Sequence, residues 1–182
     1  HGATSVAEFR ARGYLPEALA NYLALLGWSP GEGEELVPLD ELARRFRLED
    51  VGRSAGVFDV EKLAWVNRHY LKLAAPDRLA RLAVPYLQRE GWVSESSDAA
   101  LAFLARAVPP AAASVDRLEQ LPARLHLLFD YSASRALGDQ GIRAEAENAR
   151  PVIAALADEL ARSAALVDRE TFRAMVARLR EQ

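Results

Sequence analysis

Apolar residues in this chain recur three or four positions apart and are repeatedly cut off by glycine or proline, which commits the backbone to short helices. Ser5 and Glu8 form a capping box, and Gly13 closes the helix they open. Pro16 stands at a first helical position. Leu15, Leu19, Tyr22, Leu23 and Leu26 follow at helical spacing until Gly27 stops them. After the turn Ser29-Pro30-Gly31-Glu32-Gly33, the stretch from Pro38 to Phe46 predicts a helix with Leu39, Leu42 and Phe46 on one face. Asp59 reads as the cap of a helix carrying Leu63, Ala64, Asn67, Tyr70 and Leu71. Ala75-Pro76 breaks that helix and marks a boundary between two units.

The next stripe, Leu79, Leu82, Ala83, Tyr86 and Leu87, contains Pro85, which predicts a kink or a two-piece helix. Gly91 ends it. Asp98 to Val108 is predicted to stop at Pro109-Pro110. Val115 to Phe129, with Leu118, Leu121, Leu125 and Leu128, is interrupted by Pro122. Ser132 to Asp139 is weakly helical. Pro151 to Val167 is a further helix, and Asp168 caps the last, with Phe172, Met175, Val176 and Leu179. No segment alternates apolar and polar residues for long. At most, short strands are expected at Glu35–Val37 or Gly56–Phe58. The expectation is a mainly α fold of two bundles joined near residue 75.

Hydrophobic residues make up 51% of the 182, enough for a core. No run approaches a membrane span. With no cysteine, disulfides, thiol catalysis and cysteine-bearing zinc sites are excluded. The three histidines, His1, His69 and His126, lie too far apart for a metal-ligand spacing, and His126 among leucines reads as a core or boundary residue. The net charge of −3 draws the whole chain to no polyanion. Its distribution is more informative. Lys62, Arg68, Lys72, Arg78, Arg81 and Arg89 face a single acid, Asp77, over positions 62–89. Arg44, Arg45, Arg47 and Arg53 form an earlier group. There is no phosphate-binding glycine loop, no Gly-x-Ser-x-Gly elbow, and no acid pair outside what read as solvated faces. From the residues alone, the chain is a helical binding module.

Three stretches carry a resemblance. His1-Gly2-Ala3-Thr4-Ser5-Val6, Gly13-Tyr14-Leu15-Pro16-Glu17-Ala18-Leu19 and Asn21-Tyr22-Leu23-Ala24-Leu25-Leu26-Gly27-Trp28 are similar to the segment after the class I signature loop in bacterial-type glutamyl-tRNA synthetases. Phe58-Asp59-Val60-Glu61-Lys62-Leu63, with Trp65, Asn67 and Tyr70, looks like the family's Phe-Asp-x-x-Lys-Leu-x-Trp-x-Asn-x-x-Tyr pattern. Asp116 to Phe129, with Leu118, Arg124 and Phe129, resembles its first anticodon-binding helices.

The resemblance implies a stem-contact domain over 1–75, a first anticodon-binding helical subdomain over 76–134, and the start of a second over 135–182. The chain would be truncated at both ends, with the ATP site and signature loop preceding His1. It implies a cytoplasmic, monomeric parent enzyme that attaches glutamate to tRNA using ATP and Mg, while this fragment has no catalytic residue, metal or cofactor of its own. It implies tRNA as partner, through Arg53, Asn67, Arg68 and Lys72 at phosphates or stem, with Arg106, Ser114 and Arg117 near the anticodon. The plain alternative for Arg53, Arg68 and Lys72 is a solvated basic face, and Asn67 equally suits a backbone-bonding role. Trp65, Tyr70, Trp28 and Tyr14 read as core and not as base-stacking residues. Ser114 stands where many members carry an Arg associated with the third anticodon base, which would admit glutamine tRNA as well as glutamate tRNA. Three rivals remain: an independent enzyme, a shortened paralogue acting on a modified tRNA base, and a helical protein–protein adaptor.

Overall fold

The structure, a computed structural model, describes residues 5–52, 56–163 and 169–180. These form helices α1 (Val6–Arg12), α2 (Pro16–Leu25), α3 (Leu39–Arg45), α4 (Val60–Leu73), α5 (Pro76–Arg89), α6 (Asp98–Ala112), α7 (Leu121–Phe129), α8 (Ala133–Ala136), α9 (Gln140–Asn148), α10 (Arg150–Arg162) and α11 (Arg169–Arg180). Two compact units result. One runs to Asp130 and holds α1 to α7, and the other begins at Tyr131 and holds α8 to α11.

Local chemistry sets most helix ends. The Ser5 hydroxyl accepts from the Glu8 amide at 3.2 Å while the Glu8 carboxylate accepts from the Ser5 amide at 2.9 Å, so both halves of the capping box are made. The Asp59 carboxylate accepts from the amides of Glu61 and Lys62, at 2.9 and 3.1 Å. Pro16 and Pro76 open α2 and α5.

Prolines interrupt the helices less than the sequence predicts. Pro85 sits inside α5, which runs as one helix. It is exposed and removes one ladder donor, leaving a carbonyl that water can satisfy, while Leu79, Ala83 and Leu87 hold the opposite face in the core. α6 likewise continues through Pro109-Pro110 to Ala112. Val108 and Ala112 are fully buried there, and the Pro109 carbonyl accepts from the Ala113 amide at 3.1 Å. Pro122 lies in the first turn of α7, where no donor is missed. The cap expected of Asp168 lies outside the described residues. Helix α9 carries no apolar stripe that would have announced it.

No strand occurs among the described residues, which corrects the expectation for Glu35–Val37 and Gly56–Phe58. At 35–37 the chain is extended, but a side chain meets its backbone in place of a neighbouring strand. Asn21 donates Nδ2 to the Glu35 carbonyl at 3.1 Å, and its Oδ1 accepts from the Val37 amide at 3.0 Å. One amide thus imitates a ladder rung.

The main core of the first unit gathers the inward faces of α4 to α7 with Leu15 and Ala18 of α2. A second cluster, Phe9, Tyr14, Leu19, Tyr22 and Leu63, pins α1 and α2 against α4. A third, Trp28, Val37 and Leu42, seats α3. In the second unit α10 packs against both α9 and α11, Met175 is buried, and Glu159 accepts from Arg178 at 3.0 Å.

Gly13 is where the first unit comes closest to itself. It adopts φ +90°, and a Cβ there would lie 2.5 Å from both the Leu118 amide nitrogen and the Leu118 Cβ. Gly33, at φ +75°, has no atom within 4 Å of the same construction. Gly33→Ala should therefore lose only the left-handed backbone preference, about 1 kcal/mol. Gly13→Ala should lose roughly 3 kcal/mol, because the added clash meets backbone. Urea unfolding of both variants checks this, and equal losses would contradict the close approach.

Candidate nucleic-acid interface

Helix α4 divides its residues cleanly. Leu63, Ala64, Val66, Asn67 and Leu71 are buried, whereas Trp65, Arg68 and Lys72 are exposed at spacings of three and four. These three share one solvent-facing ridge. Trp65 corrects the expectation of a core residue, since its side chain is 41% exposed. The signal was present in the spacing, because Trp65 falls opposite the Leu63–Asn67 face. Tyr14 and Trp28 are buried as expected, and Tyr70 is partly buried against the core.

Asn67 was expected to touch tRNA, and the structure corrects this. It has no exposed surface, and its amide is fully engaged within the fold. Oδ1 accepts from the Leu15 amide at 2.7 Å, while Nδ2 donates to the Asp116 carbonyl at 2.5 Å and the Gly13 carbonyl at 3.3 Å. The Gly13 carbonyl also accepts from the Leu118 amide at 3.3 Å. Beside it, Arg68 donates Nε to Asp116 Oδ1 at 2.6 Å, with Nη2 at 2.5 Å from the same oxygen. From the other side Gln120 Oε1 accepts from the amides of Asp116 and Arg117, at 2.8 and 3.1 Å. The turn at 116–118 is therefore held at both edges.

The residues expected near the anticodon separate. Arg106 is exposed on α6. Ser114 is exposed just after α6, its hydroxyl donating to the Ala111 carbonyl at 2.8 Å. Arg117 folds back, its side chain 24% exposed, with Nε on Glu119 at 2.7 Å and the guanidinium 5.9 Å from the Tyr14 ring centre. Arg53 lies outside the described residues. His126 is exposed on α7, against the expectation of a core or boundary position, and its Nδ1 lies 2.9 Å from the Ala123 carbonyl. Leu127 and Leu128 are exposed there too, because α7 buries only Leu121 and Leu125.

Many cations predicted from the sequence serve the fold. Arg45 clamps Glu41 and Glu34 at 2.7 and 2.8 Å and also donates to the Pro30 carbonyl, tying the turn after α2 to α3. Lys62 pairs with Glu35 at 2.6 Å, and Arg89 lies 5.2 Å over the Tyr86 ring. Arg78 meets Glu17 with both guanidinium nitrogens, at 2.5 and 2.9 Å, joining the first turns of α2 and α5. Among the described residues, Lys72, Arg81 and Arg106 are exposed and make no ion pair.

Burial pushes the Glu17 carboxyl up, but the Arg78 hydrogen bonds and charge outweigh it and hold the group below its usual value of 4.5. A depressed carboxyl contributes stability that is present above the unfolded value and is lost as pH falls through the folded one. The stability gap between the native chain and Glu17→Gln should be constant above about pH 5 and shrink on further acidification. Urea unfolding at a series of pH values tests this, and a gap that does not change with pH would contradict it.

Elsewhere in this unit an apolar groove of about 430 Å³ opens between α2 and α3, lined by Leu23, Leu39, Leu42 and Phe46 among others. No three histidine or acidic side chains that could hold a metal ion converge among the described residues. No described helix is long and apolar enough to cross a membrane.

Residues 1–65 match the family model described as tRNA synthetases class I (E and Q), catalytic domain. A glutamate–tRNA ligase of Desulforamulus reducens is 36% identical across all of this chain, which spans 38% of that protein. One from Carboxydothermus hydrogenoformans is 37% identical over 88% of the chain and 33% of its own length. One from Moorella thermoacetica is 55% identical over 50% of the chain and 19% of its own length. The chain thus spans well under half of the curated relatives it matches. The crystal structure of a glutamate–tRNA synthetase from Elizabethkingia anophelis, 28% identical, superposes with TM-score 0.57 over 69% of this chain and 24% of that one. A glutamate tRNA ligase from Elizabethkingia meningosepticum, at 24% identity, shares the fold with TM-score 0.68 over 98% of this chain and 35% of that one. With homologues of that one kind covering it from end to end, the chain belongs to the glutamate–tRNA ligase family of class I aminoacyl-tRNA synthetases.

Proposed function

We propose that this chain is the tRNA-binding portion of a glutamate–tRNA ligase, a cytoplasmic and monomeric enzyme that joins glutamate to tRNA with ATP. In this reading residues up to about 75 contact the inner side of the tRNA, those from 76 to about 134 approach the anticodon, and those beyond open a second anticodon-binding part. The observation that carries it is the exposed α4 ridge of Trp65, Arg68 and Lys72. Lys72, unpaired on a rigid helix, offers affinity and register at phosphates, while Arg68 beside it is paired with Asp116. An exposed indole beside them offers a face on which a base or ribose can rest. Arg106 and Ser114, both exposed, are groups that this reading sets near the anticodon. Ser114, short and neutral where the resemblance implies an Arg, favours acceptance of glutamine tRNA beside glutamate tRNA.

The apolar groove between α2 and α3 favours a second reading, a protein–protein adaptor. The two differ in salt response. Engagement of about three phosphates should weaken binding of a glutamate tRNA transcript by about thirtyfold between roughly 50 and 200 mM salt. Replacing the anticodon should weaken it further, while changing only the third anticodon base should leave it unaltered. Salt-insensitive capture, or no binding by the folded chain, would contradict the tRNA reading.

A further inference from the structure

The basic residue best placed to be read as a phosphate contact, Arg68, spends its charge inside the chain. Its Nε and Nη2 both lie on Asp116 Oδ1, while the neighbouring Asn67 amide holds the Asp116 carbonyl. Asp116 is 48 residues away in sequence and begins the turn between exposed Ser114 and Leu118. That turn has no regular structure of its own until Leu118 and is fixed by side chains, Gln120 just beyond it on one edge and Asn67 and Arg68 of α4 on the other. Lys72, one turn beyond Arg68, is left free on the same ridge.

We infer that Asn67 and Arg68 are positioning residues for tRNA recognition, locking the 114–118 turn to α4 at a fixed distance from Lys72 and Trp65. The inference rests on the tRNA reading above and deepens it. A helix that grips stem phosphates and a turn that approaches the anticodon help each other only if their separation is held before the tRNA arrives. Otherwise the second contact carries an ordering cost. Asn67 fixes the turn through its bond to the Asp116 carbonyl, and Arg68 fixes it through a charge pair at the surface.

A charge-reversal cycle in the 182-residue chain tests this. Arg68→Asp, Asp116→Arg and the double variant are each measured for affinity to a glutamate tRNA transcript and to one with a replaced anticodon. Circular dichroism melting checks folding, and Asp116→Asn serves if a reversal fails to fold. Each single reversal should shrink the anticodon preference by about fivefold, and the double variant should restore it. If the double variant binds as weakly as Arg68→Asp alone, and the salt slope falls by about one whenever Arg68 is absent, then Arg68 is a phosphate contact and the inference is overturned. A native chain that ignores tRNA would instead remove the reading beneath it, and that result appears before any variant is made.

Discussion

One buried amide holds the first unit in register. Asn67 is fully enclosed, and an unsatisfied amide in such a place costs about 1–3 kcal/mol. Its three bonds go to Gly13, Leu15 and Asp116, in segments more than 45 residues away along the chain. Those bonds set how α1 and α2 meet α4, and how the turn before α7 meets both. Gly13 is required because that turn passes directly over it. Asn21 repeats the device on the other side of α2, standing in for a strand partner at 35–37, with the Tyr70 hydroxyl 2.7 Å from the Val37 carbonyl. Burial raises the Tyr70 phenol above its ordinary value, with the Glu17 charge adding to it.

This arrangement explains how a chain of net charge −3 can present a surface suited to a polyanion. Among the described residues Arg44, Arg45, Arg68, Arg78, Arg117, Arg162 and Arg178 pair with carboxylates, several of which fasten loops and helix starts. Lys72, Arg81 and Arg106 are among the cations left exposed without an ion pair, and each is set on a helix. Specific recognition of a folded RNA depends more on where a few cations stand than on their number. The α4 ridge offers one such place, with the exposed Trp65 indole on the same ridge as Arg68 and Lys72.

Much of the fold was legible because its determinants are local. Ser5 and Glu8, Gly13, Pro16 and Asp59 each act within four residues, so spacing alone reveals them. The prolines misled because the decision between stopping and continuing a helix was taken by burial on the other face, as at Ala83 and Leu87 or Val108 and Ala112. The role of Asn67 was hidden for the same reason. Whether an amide faces solvent or three backbone partners depends on segments 49 to 54 residues away. Trp65 was misassigned by residue type, although its position opposite Leu63 and Val66 argued for solvent. Of the expected contacts, Lys72 and Arg106 stand free at the surface. Arg68 and Arg117 are held by acids, Asn67 is interior, and Ser114 caps the end of α6.

The chain contains two lysines, which makes the central claim open to a direct footprint. Lys72 is exposed and unpaired on the α4 ridge, and Lys62 pairs with Glu35 on the preceding turns of the same helix. Acylation by an amine-reactive reagent, followed by mass spectrometry with and without saturating glutamate tRNA, reports on both at once. If α4 grips tRNA as described, tRNA slows acylation of Lys72 and leaves Lys62 unchanged. Equal rates at Lys72 with and without tRNA would contradict the account.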